Sequence, residues 1–592
     1  MLLLDDDPLL GQGLRDRLRA EGHVVDSCRS IAEAGRPSLL RAAGTSQPEG
    51  GGRCARALLR LLAVMLALGA IAGCKALPPL DGRNLSSLDE DTAGTRLGRA
   101  VQPQLQRHPG LSGIHALANG LDAFVARALL AEAAERTLDV QYYIWHDDLS
   151  GRLLFAALRR AADRGVRVRL LLDDNNTKGL DPVLARLDAH PNIEVRLFNP
   201  FMQRDWRIVG FLTDFRRLNR RMHNKSFTAD NQVTIVGGRN VGDEYFGADE
   251  DVSFVDLDVL AVGPVTTEVS RDFDRYWSSS SAYPLASVLG ERAVAATRAA
   301  RATDSAATAA PPAEGPAPEA HPPDRAARSP GRRVILPSQR AYLEAVRTAP
   351  LLPALLAGEL ELEWAHARMV SDDPAKALGR AAGQSHLWVR LMEAMAQPAR
   401  ELALISPYFV PTLHGTRHFT GLAGKGVEVK VLTNALEATD VVAVHAGYAR
   451  WRERLLEAGV RLYELKRTAP RDAFRDRGLA GSSGSSLHAK TFSVDRNQVF
   501  VGSLNFDPRS AVLNTELGFV IDSPRLAARL SDGVGGKLAE SAYELRLDAA
   551  GRLQWVDRAG GVERVLESEP NAGLWRRVQV FVLRLLPIDW LL

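Results

Sequence analysis

The sequence contains two long segments that repeat the same pattern, and this repeat limits the possible folds more than any other feature. Residues 423–434, AGKGVEVKVLTN, echo residues 162–173, ADRGVRVRLLLD. Further along, residues 488–505, HAKTFSVDRNQVFVGSLN, echo residues 223–240, HNKSFTADNQVTIVGGRN. Each copy alternates amphipathic helices with short apolar strands, which is typical of an α/β domain. We therefore predict a duplicated α/β fold, in which each half is a mixed β-sheet flanked by helices.

The amino-acid composition indicates the domain boundaries from residue 75 onward. Residues 295–340 are rich in Ala, Pro and Arg and have too few large apolar side chains to bury a core, so we predict a flexible linker there. The two repeats then form domains over residues 75–294 and 341–547. We expect residues 548–592 to form a hairpin and a candidate membrane-interface segment, because residues 574–592 combine apolar side chains with three arginines. A helix or strand that simply docks on the fold is the alternative.

Residues 1–50 begin with a predicted strand, an acidic turn, an amphipathic helix and the start of a second strand. This order, with Asp5 and Asp6, resembles the opening of a response-regulator receiver domain, in which such an acidic pair binds a metal. The resemblance ends after roughly a quarter of that domain, which is too little to close a sheet or bury a core. We interpret residues 1–50 as a truncated, non-functional fragment, left by a fusion or a misplaced gene start.

Residues 51–74 combine a basic start with a short apolar segment. Three arginines precede an apolar segment at residues 61–72. This segment is too short to span a membrane comfortably as a helix. The segment ends in IAGC at Cys74, which resembles the lipobox of bacterial lipoproteins. This resemblance implies a signal peptide and a lipidated Cys74 that holds the protein in the bacterial cell envelope, at the inner or the outer membrane. A buried apolar helix and an uncleaved anchor are the alternatives.

The cysteines and the net charge exclude several classes of function. The three cysteines are Cys28, Cys54 and Cys74, so the chain beyond them has neither a disulfide framework nor a Cys-based metal site. The net charge is +3, from 74 basic and 71 acidic residues, which argues against a dedicated nucleic-acid coat. We therefore expect no nucleic-acid partner, and a covalent mechanism must use a nucleophile other than cysteine.

Each half carries a His-x-Lys pair, an Asp five residues after the Lys, and a Gly and an Asn further on. The residues are His223, Lys225, Asp230 and Asn240 in the first half and His488, Lys490, Asp495 and Asn505 in the second. Residues two apart on a strand share a face, so each His and Lys are predicted to point the same way. A single copy is weak evidence for a site, but two copies in homologous positions are strong evidence.

Two copies of this motif suit displacement at a phosphodiester. One imidazole can attack phosphorus and form a phosphohistidine, which divides the displacement into two steps. The other can give a proton to the leaving oxygen and later take one from the incoming alcohol. Lysine and asparagine side chains can stabilise charge on the phosphoryl oxygens. This chemistry needs neither a metal nor a cofactor, and it predicts one active site that both halves share.

The paired motifs resemble the phospholipase D superfamily, over roughly residues 121–547. The flanks GGRNVGDEYF (237–246) and GSLNFDPRSAVLNTELG (502–518) are similar to cardiolipin synthases. VQYYIWHDDLSG (140–151) and the closing LPIDWLL resemble the C branch of those enzymes. The resemblance implies two halves related by a pseudo-two-fold axis, with the active site at their interface.

The resemblance also implies roles for individual residues. His223 would be the nucleophile and His488 the general acid and base. Asn240, Asn505 and Ser503 would bind phosphate, while the carboxylates of Asp256 and Glu516 would orient the histidines. Asp230 and Asp495 complete the catalytic motifs, but each lies in a predicted hairpin turn, where a turn or salt-bridge role is favoured over proton transfer.

The resemblance implies a phosphatidyltransferase. It would move a phosphatidyl group to the primary hydroxyl of phosphatidylglycerol, at a membrane surface, with phosphatidylethanolamine as a further candidate substrate. Two alternatives stay open: a phospholipase that uses water and releases phosphatidic acid, and a superfamily nuclease. Six arginines precede His223 and could contact any polyanion or form a solvated face: Arg204, Arg207, Arg216, Arg217, Arg220 and Arg221.

Overall fold

A computed structural model describes residues 2–4, 26–28, 76–81, 83–248, 254–290, 344, 347–467, 486–536 and 541–586. Cys74, the acidic pair at Asp5 and Asp6, and the predicted linker at 295–340 lie outside these residues. The chain divides into two compact units, Met1–Ala72 and Gly73–Leu592. In the first unit, β1 (Leu2–Leu4) and β2 (Asp26–Cys28) pair in parallel.

The strands of the second unit fall into two groups along the chain. The first group is β3 (Ser112–Leu117), β4 (Thr137–Ile144), β5 (Arg167–Asn176), β6 (Ile193–Phe198), β7 (Ser226–Ala229), β8 (Val233–Gly237), β9 (Phe254–Val255), β10 (Asp258–Val262) and β11 (Ala282–Pro284). The second is β12 (Glu363–Ala365), β13 (Ala367–Ser371), β14 (Glu401–Ile405), β15 (Glu428–Asn434), β16 (Arg461–Leu465), β17 (Ser486–Leu487), β18 (Thr491–Val494), β19 (Gln498–Gly502), β20 (Leu517–Ile521), β21 (Ala542–Leu547), β22 (Leu553–Asp557) and β23 (Arg564–Leu566).

The helices follow the same division. The first half contains α1 (Arg96–Arg107), α2 (Gly120–Ala133), α3 (Leu149–Asp163), α4 (Asp181–Asp188), α5 (Arg207–Thr213), α6 (Phe215–Leu218), α7 (Asp243–Phe246), α8 (Pro264–Trp277) and α9 (Leu285–Leu289). The second contains α10 (Leu351–Ala357), α11 (Leu387–Ala394), α12 (Thr412–Gly424), α13 (Val442–Ala449), α14 (Arg452–Glu457), α15 (Pro508–Val512), α16 (Pro524–Gly535) and α17 (Leu574–Arg584). Among the described helices, none is long and apolar enough to cross a membrane.

The two large sheets have matching topology. The first has the order β11-β6-β5-β4-β7-β8-β10-β3-β12, and the second has β13-β20-β19-β18-β14-β15-β16-β21-β22-β23. In both, three parallel strands connected through helices adjoin an antiparallel hairpin. The order β6-β5-β4-β7-β8-β10-β3 is repeated as β16-β15-β14-β18-β19-β20-β13, which confirms the predicted duplication of a mixed α/β sheet.

The two halves share a hydrophobic core. One buried cluster contains Val236 and Val259 from β8 and β10 together with Val499, Val501 and Phe519 from β19 and β20. These strands hold equivalent positions in the two sheets, so the halves pack through the same surface. The hairpins that follow the two His-x-Lys motifs therefore lie at the interface between the halves.

Candidate active site

The first motif segment pairs with the second half of the chain rather than with its own sheet. Met222 forms a parallel bridge with Thr515. The His223 N–H donates to the Thr515 carbonyl at 2.8 Å, and the Thr515 N–H donates to the Arg221 carbonyl at 2.9 Å. These bonds place His223 directly beside Glu516, which follows Thr515.

The second motif segment mirrors this arrangement. Its strand β17 pairs in parallel with β9 of the first half. The backbone N–H groups of His488 and Ala489 both donate to the Val255 carbonyl, at 2.9 and 3.0 Å. Both His-x-Lys pairs thus precede the main hairpin strands, which begin at Ser226 and Thr491. Each pair was predicted to lie on a strand, but both lie just before one, in segments that contact the other half.

The carboxylates predicted to orient the histidines do so crosswise. His223 Nδ1 lies 2.8 Å from Glu516 Oε2, and His488 Nδ1 lies 2.6 Å from Asp256 Oδ2. Both carboxylates are buried. Each half therefore supplies the partner for the other half's histidine, and neither half contains a complete pair. Because Nδ1 is engaged by the carboxylate, Nε2 is the ring nitrogen of each histidine that can react with a substrate.

Both lysines are buried beside the histidines. Lys225 Nζ donates to the His223 carbonyl, and Lys490 Nζ donates to the His488 carbonyl. Burial lowers the pKa of Lys225 to about 7 and that of Lys490 to about 8. A phosphate anion placed beside them would stabilise their charged forms, since an opposite charge favours ionisation.

Burial and the neighbouring lysines also act on the histidines. Burial lowers the pKa of His223 well below its ordinary value, and Lys225 and Lys490 lower it further. Burial and Lys490 lower the pKa of His488 to about 4, against the opposing effect of Asp256. Both imidazoles are therefore neutral near pH 7 before substrate binds, the state that a nucleophilic nitrogen requires.

The two orienting carboxylates differ in charge state. Burial raises the pKa of Glu516 to about 7. Burial would also raise the pKa of Asp256, but His488 and Lys490 hold it below its usual range. Asp256 is thus the more permanently charged partner, and a charged carboxylate stabilises an imidazolium.

The predicted phosphate-binding residues make different contacts. Asn240 donates to the Tyr245 hydroxyl at 3.1 Å and accepts from the Ile144 N–H at 3.2 Å. Asn505 is buried, and its Oδ1 has no hydrogen-bond partner within the described part of the chain. The Ser503 hydroxyl donates to Glu516 Oε2. The Ser503 hydroxyl thus supports an orienting carboxylate, and its role in binding phosphate stays a prediction.

The two motif aspartates fasten the hairpin turns. Asp230 accepts hydrogen bonds from the three consecutive backbone N–H groups of residues 135–137, and Asp495 accepts from those of residues 399–401. In both turns the Asp has a positive φ, of 51° and 52°, and so does the residue that follows it. These contacts favour the turn role of both aspartates.

We expect the motif aspartates to contribute mainly to stability, and unequally. Asp230→Asn should lower the free energy of unfolding by about 2 to 3 kcal/mol, because the new NH₂ group faces a backbone donor in a buried turn. Asp495→Asn should cost only about 1 kcal/mol, because its turn is more exposed and water can replace the lost bonds. Urea unfolding of the matched pair measures both values. Equal losses, or a loss of activity without a loss of stability, would contradict this assignment.

Three aromatic residues at the site were missed by sequence reasoning. Tyr143 packs edge-on to His223, with ring centroids 4.9 Å apart, and Tyr245 packs edge-on to His488 at 5.1 Å. The Tyr408 hydroxyl donates to Asp440 Oδ2 at 2.6 Å. Tyr143 near the end of β4 and Tyr408 just after β14 lie in corresponding regions of the two halves, although the repeats align Tyr408 with Ile144.

Two of the arginines that precede the first motif form ion pairs within the first half. Arg204 contacts Asp174 and Asp181, and Arg217 lies 2.5 Å from Asp214. Both contribute to the segment that leads to His223. For these two arginines, the structure supports a structural role instead of the solvated face or polyanion contact considered from the sequence.

One group of side chains in the described residues has the composition of a cation site. His146, Asp148 and Glu244 offer ligand atoms within 4.8 Å of one another. His146 Nδ1 already lies 3.0 Å from Glu244, and Asp148 caps α3 by accepting from the Gly151 N–H at 2.9 Å. These protein contacts explain the cluster, so we assign no metal to it.

Comparison with known proteins agrees with this geometry. Residues 127–277 and 391–534 match the family described as "Cardiolipin synthase, PLD-like domain". The chain is 51% identical over 502 residues to cardiolipin synthase C of Escherichia coli (strain K12), and the match covers 84% of this chain and 100% of that protein. The chain belongs to the phospholipase D-like cardiolipin synthase family. Each matched region contains one of the two motifs, so the predicted family is confirmed.

Two further similarities extend the comparison. An uncharacterized protein of Helicobacter pylori (strain ATCC 700392 / 26695) is 30% identical over 478 residues, which cover 80% of this chain and 88% of that protein. Among solved structures, phosphatidylserine synthase from Haemophilus influenzae Rd KW20 aligns with a TM-score of 0.48 and 14% sequence identity. That alignment covers 84% of this chain and 100% of that chain.

Proposed function

We propose that this protein transfers a phosphatidyl group from one phospholipid to the primary hydroxyl of phosphatidylglycerol and so makes cardiolipin. The observation that carries the proposal is the crosswise pairing of His223 with Glu516 and of His488 with Asp256. It provides two oriented imidazoles in one site, as a two-step displacement requires. The 51% identity to cardiolipin synthase C supports the choice of acceptor.

In the first step, His223 Nε2 attacks the phosphorus of the donor lipid. A P–N bond forms, and the P–O bond to the headgroup alcohol breaks. His488 donates the proton that this alcohol needs in order to leave. For that transfer His488 must be protonated, and the bound phosphodiester anion together with Asp256 favours its imidazolium form. Lys225 and Lys490 offset the charge that develops on the phosphoryl oxygens.

In the second step, the acceptor replaces the histidine. His488, now neutral, takes the proton from the primary hydroxyl of phosphatidylglycerol as its oxygen attacks phosphorus. The new P–O bond forms while the P–N bond to His223 breaks, and the phosphatidyl group leaves as part of cardiolipin. When the donor is also phosphatidylglycerol, the released alcohol is glycerol.

The test of the proposed function is product analysis with purified protein. We expect cardiolipin to form from vesicles that contain phosphatidylglycerol, and mass spectrometry of the extracted lipids measures it. Adding phosphatidylethanolamine with isotopically labelled acyl chains shows whether that lipid also donates, since the label would then enter cardiolipin. The His223→Ala protein is the matched control for contaminating activity. Phosphatidic acid as the sole product across several donor mixtures would overturn the proposal in favour of a phospholipase.

We also propose that lipidation of Cys74 holds the protein at the bacterial cell envelope. The proposal is supported by the IAGC sequence that ends at Cys74 and by the basic and apolar segments before it. In cells, Cys74→Ser should therefore release the protein from the membrane fraction or change its location, as measured by fractionation and intact mass. A membrane-bound protein that still carries the residues before Cys74 would contradict this anchor.

A further inference from the structure

The C-terminal helix α17 turns its apolar side away from the protein. Five residues of the helix and two just after it form a stripe on the solvent side: Leu574, Trp575, Val578, Phe581 and Val582, followed by Leu585 and Leu586. Trp575 and Phe581 are 71% and 65% exposed, whereas only Val580 of this helix is buried. Helices on globular proteins ordinarily bury their apolar stripe. This stripe therefore needs a partner outside the described fold.

Polar contacts hold α17 in this orientation. Arg576 donates to the carbonyls of Leu436 and Thr439, at 2.8 and 3.2 Å. Arg577 donates to the Glu569 carbonyl at 2.7 Å. Val580 packs into a small cluster with Ala446 of α13. The charged face of the helix thus contacts the protein, and the outward position of the stripe is built into the fold.

The loop that α17 holds borders the active site. It runs from the end of β15 to Asp440, which accepts from the Tyr408 hydroxyl and contributes to the electrostatic environment of Lys490. At the end of β15, Asn434 exchanges two hydrogen bonds with the backbone of Leu487, the residue before His488. The loop therefore connects α17, which carries the stripe, to the segment that carries the second motif.

We infer that the stripe is a docking surface for a lipid bilayer with anionic headgroups. Arg584 at the end of α17 is exposed, and Arg450 donates to the carbonyl of Leu586 in the stripe, so positive charge lies beside the apolar side chains and complements anionic lipids. Residues 574–584 contain no acidic residue that would oppose it. Trp and Phe next to arginine suit the boundary between headgroups and acyl chains. This inference rests on the proposed function, because the lipid substrate lies in a bilayer that must approach the active site.

Vesicle binding tests the inference with a double variant, Trp575→Ser/Phe581→Ser. Both this variant and its parent carry Cys74→Ser, so that acylation does not mask the effect. We expect binding to phosphatidylglycerol vesicles, measured by co-sedimentation, to weaken by about tenfold or more, since two large apolar side chains are lost from the interface. Cardiolipin formation on vesicles should fall with it. Val562→Ser/Val565→Ser, which removes apolar side chains that are 57% and 49% exposed elsewhere, should bind like the parent.

A soluble substrate separates this inference from the proposed chemistry. The double variant should hydrolyse bis(4-nitrophenyl) phosphate at the parental rate, because the stripe does not contact the histidines. If neither the parent nor the double variant hydrolyses this substrate, the proposed chemistry is refuted. The vesicle-binding result then still tests the docking surface by itself. Parental vesicle binding by the double variant would overturn the inference. A change from dimer to monomer with unchanged vesicle binding would also overturn it, by assigning the stripe to a second copy of the chain.

Discussion

Replacing either His223 or His488 by Ala is expected to lower kcat for cardiolipin formation on the order of 10³-fold or more. His223→Ala removes the nucleophile, and His488→Ala removes both the proton donor for the leaving alcohol and the base for the incoming one. The double variant should be about as slow as either single variant, because the two histidines act as one unit. Rates measured on phosphatidylglycerol vesicles check both points. A single variant within about tenfold of the parent would contradict the two-histidine site.

Replacing either orienting carboxylate, Asp256 or Glu516, is expected to have the second large effect on activity. The two replacements should slow different steps of the transfer. Asp256→Asn and Glu516→Gln should each lower kcat on phosphatidylglycerol by about 10²- to 10⁴-fold, because the amide no longer fixes the tautomer of the facing histidine. With a nitrophenyl phosphodiester the leaving group needs no proton. Asp256→Asn acts through His488 and should then spare the first nitrophenol release. Glu516→Gln acts through His223 and should slow that release.

Measuring the rate of nitrophenol release in the first turnover of each variant distinguishes the effect of Asp256→Asn from that of Glu516→Gln. The control is the unfolding midpoint of each variant, which should stay close to the parental value if the substitutions act on the histidines. The opposite order, with the first release slowed by Asp256→Asn and spared by Glu516→Gln, would contradict this assignment: either the two histidines have the reverse roles, or each carboxylate orients the histidine of its own half. The site of the covalent adduct distinguishes these two cases.

Much of the fold could be predicted because its signals are local. The strands before the two motifs and the hairpins after them have clear apolar patterns, and Asp230-Asn231 and Asp495-Arg496 occupy the left-handed turn positions that such hairpins use. Repetition of these local signals predicted two equivalent sheets. The motif residues and both orienting carboxylates were also predicted, with the help of the family resemblance.

The pairing between halves could not be predicted from the sequence. His223 lies 293 residues from Glu516, and His488 lies 232 residues from Asp256, so no local pattern links either pair. The contact between the Ser503 hydroxyl and Glu516 lies within the second half, where β19 pairs with β20, so it does not depend on the interface between the halves. The orientation of α17 was also left open, since an amphipathic helix does not reveal which face it buries.

Trapping the covalent intermediate tests the central claim, that His223 and His488 form one two-step site. The His488→Ala protein is incubated with bis(4-nitrophenyl) phosphate, digested at alkaline pH, where phosphohistidine survives, and mapped by mass spectrometry. We expect a phosphoryl adduct on His223 that persists, because attack needs no proton donor with this leaving group while hydrolysis of the adduct lacks its base. The His223→Ala protein should carry none. An adduct on His488 in the His223→Ala protein alone would reverse the two roles. The absence of an adduct from both histidines in both variants would contradict the account.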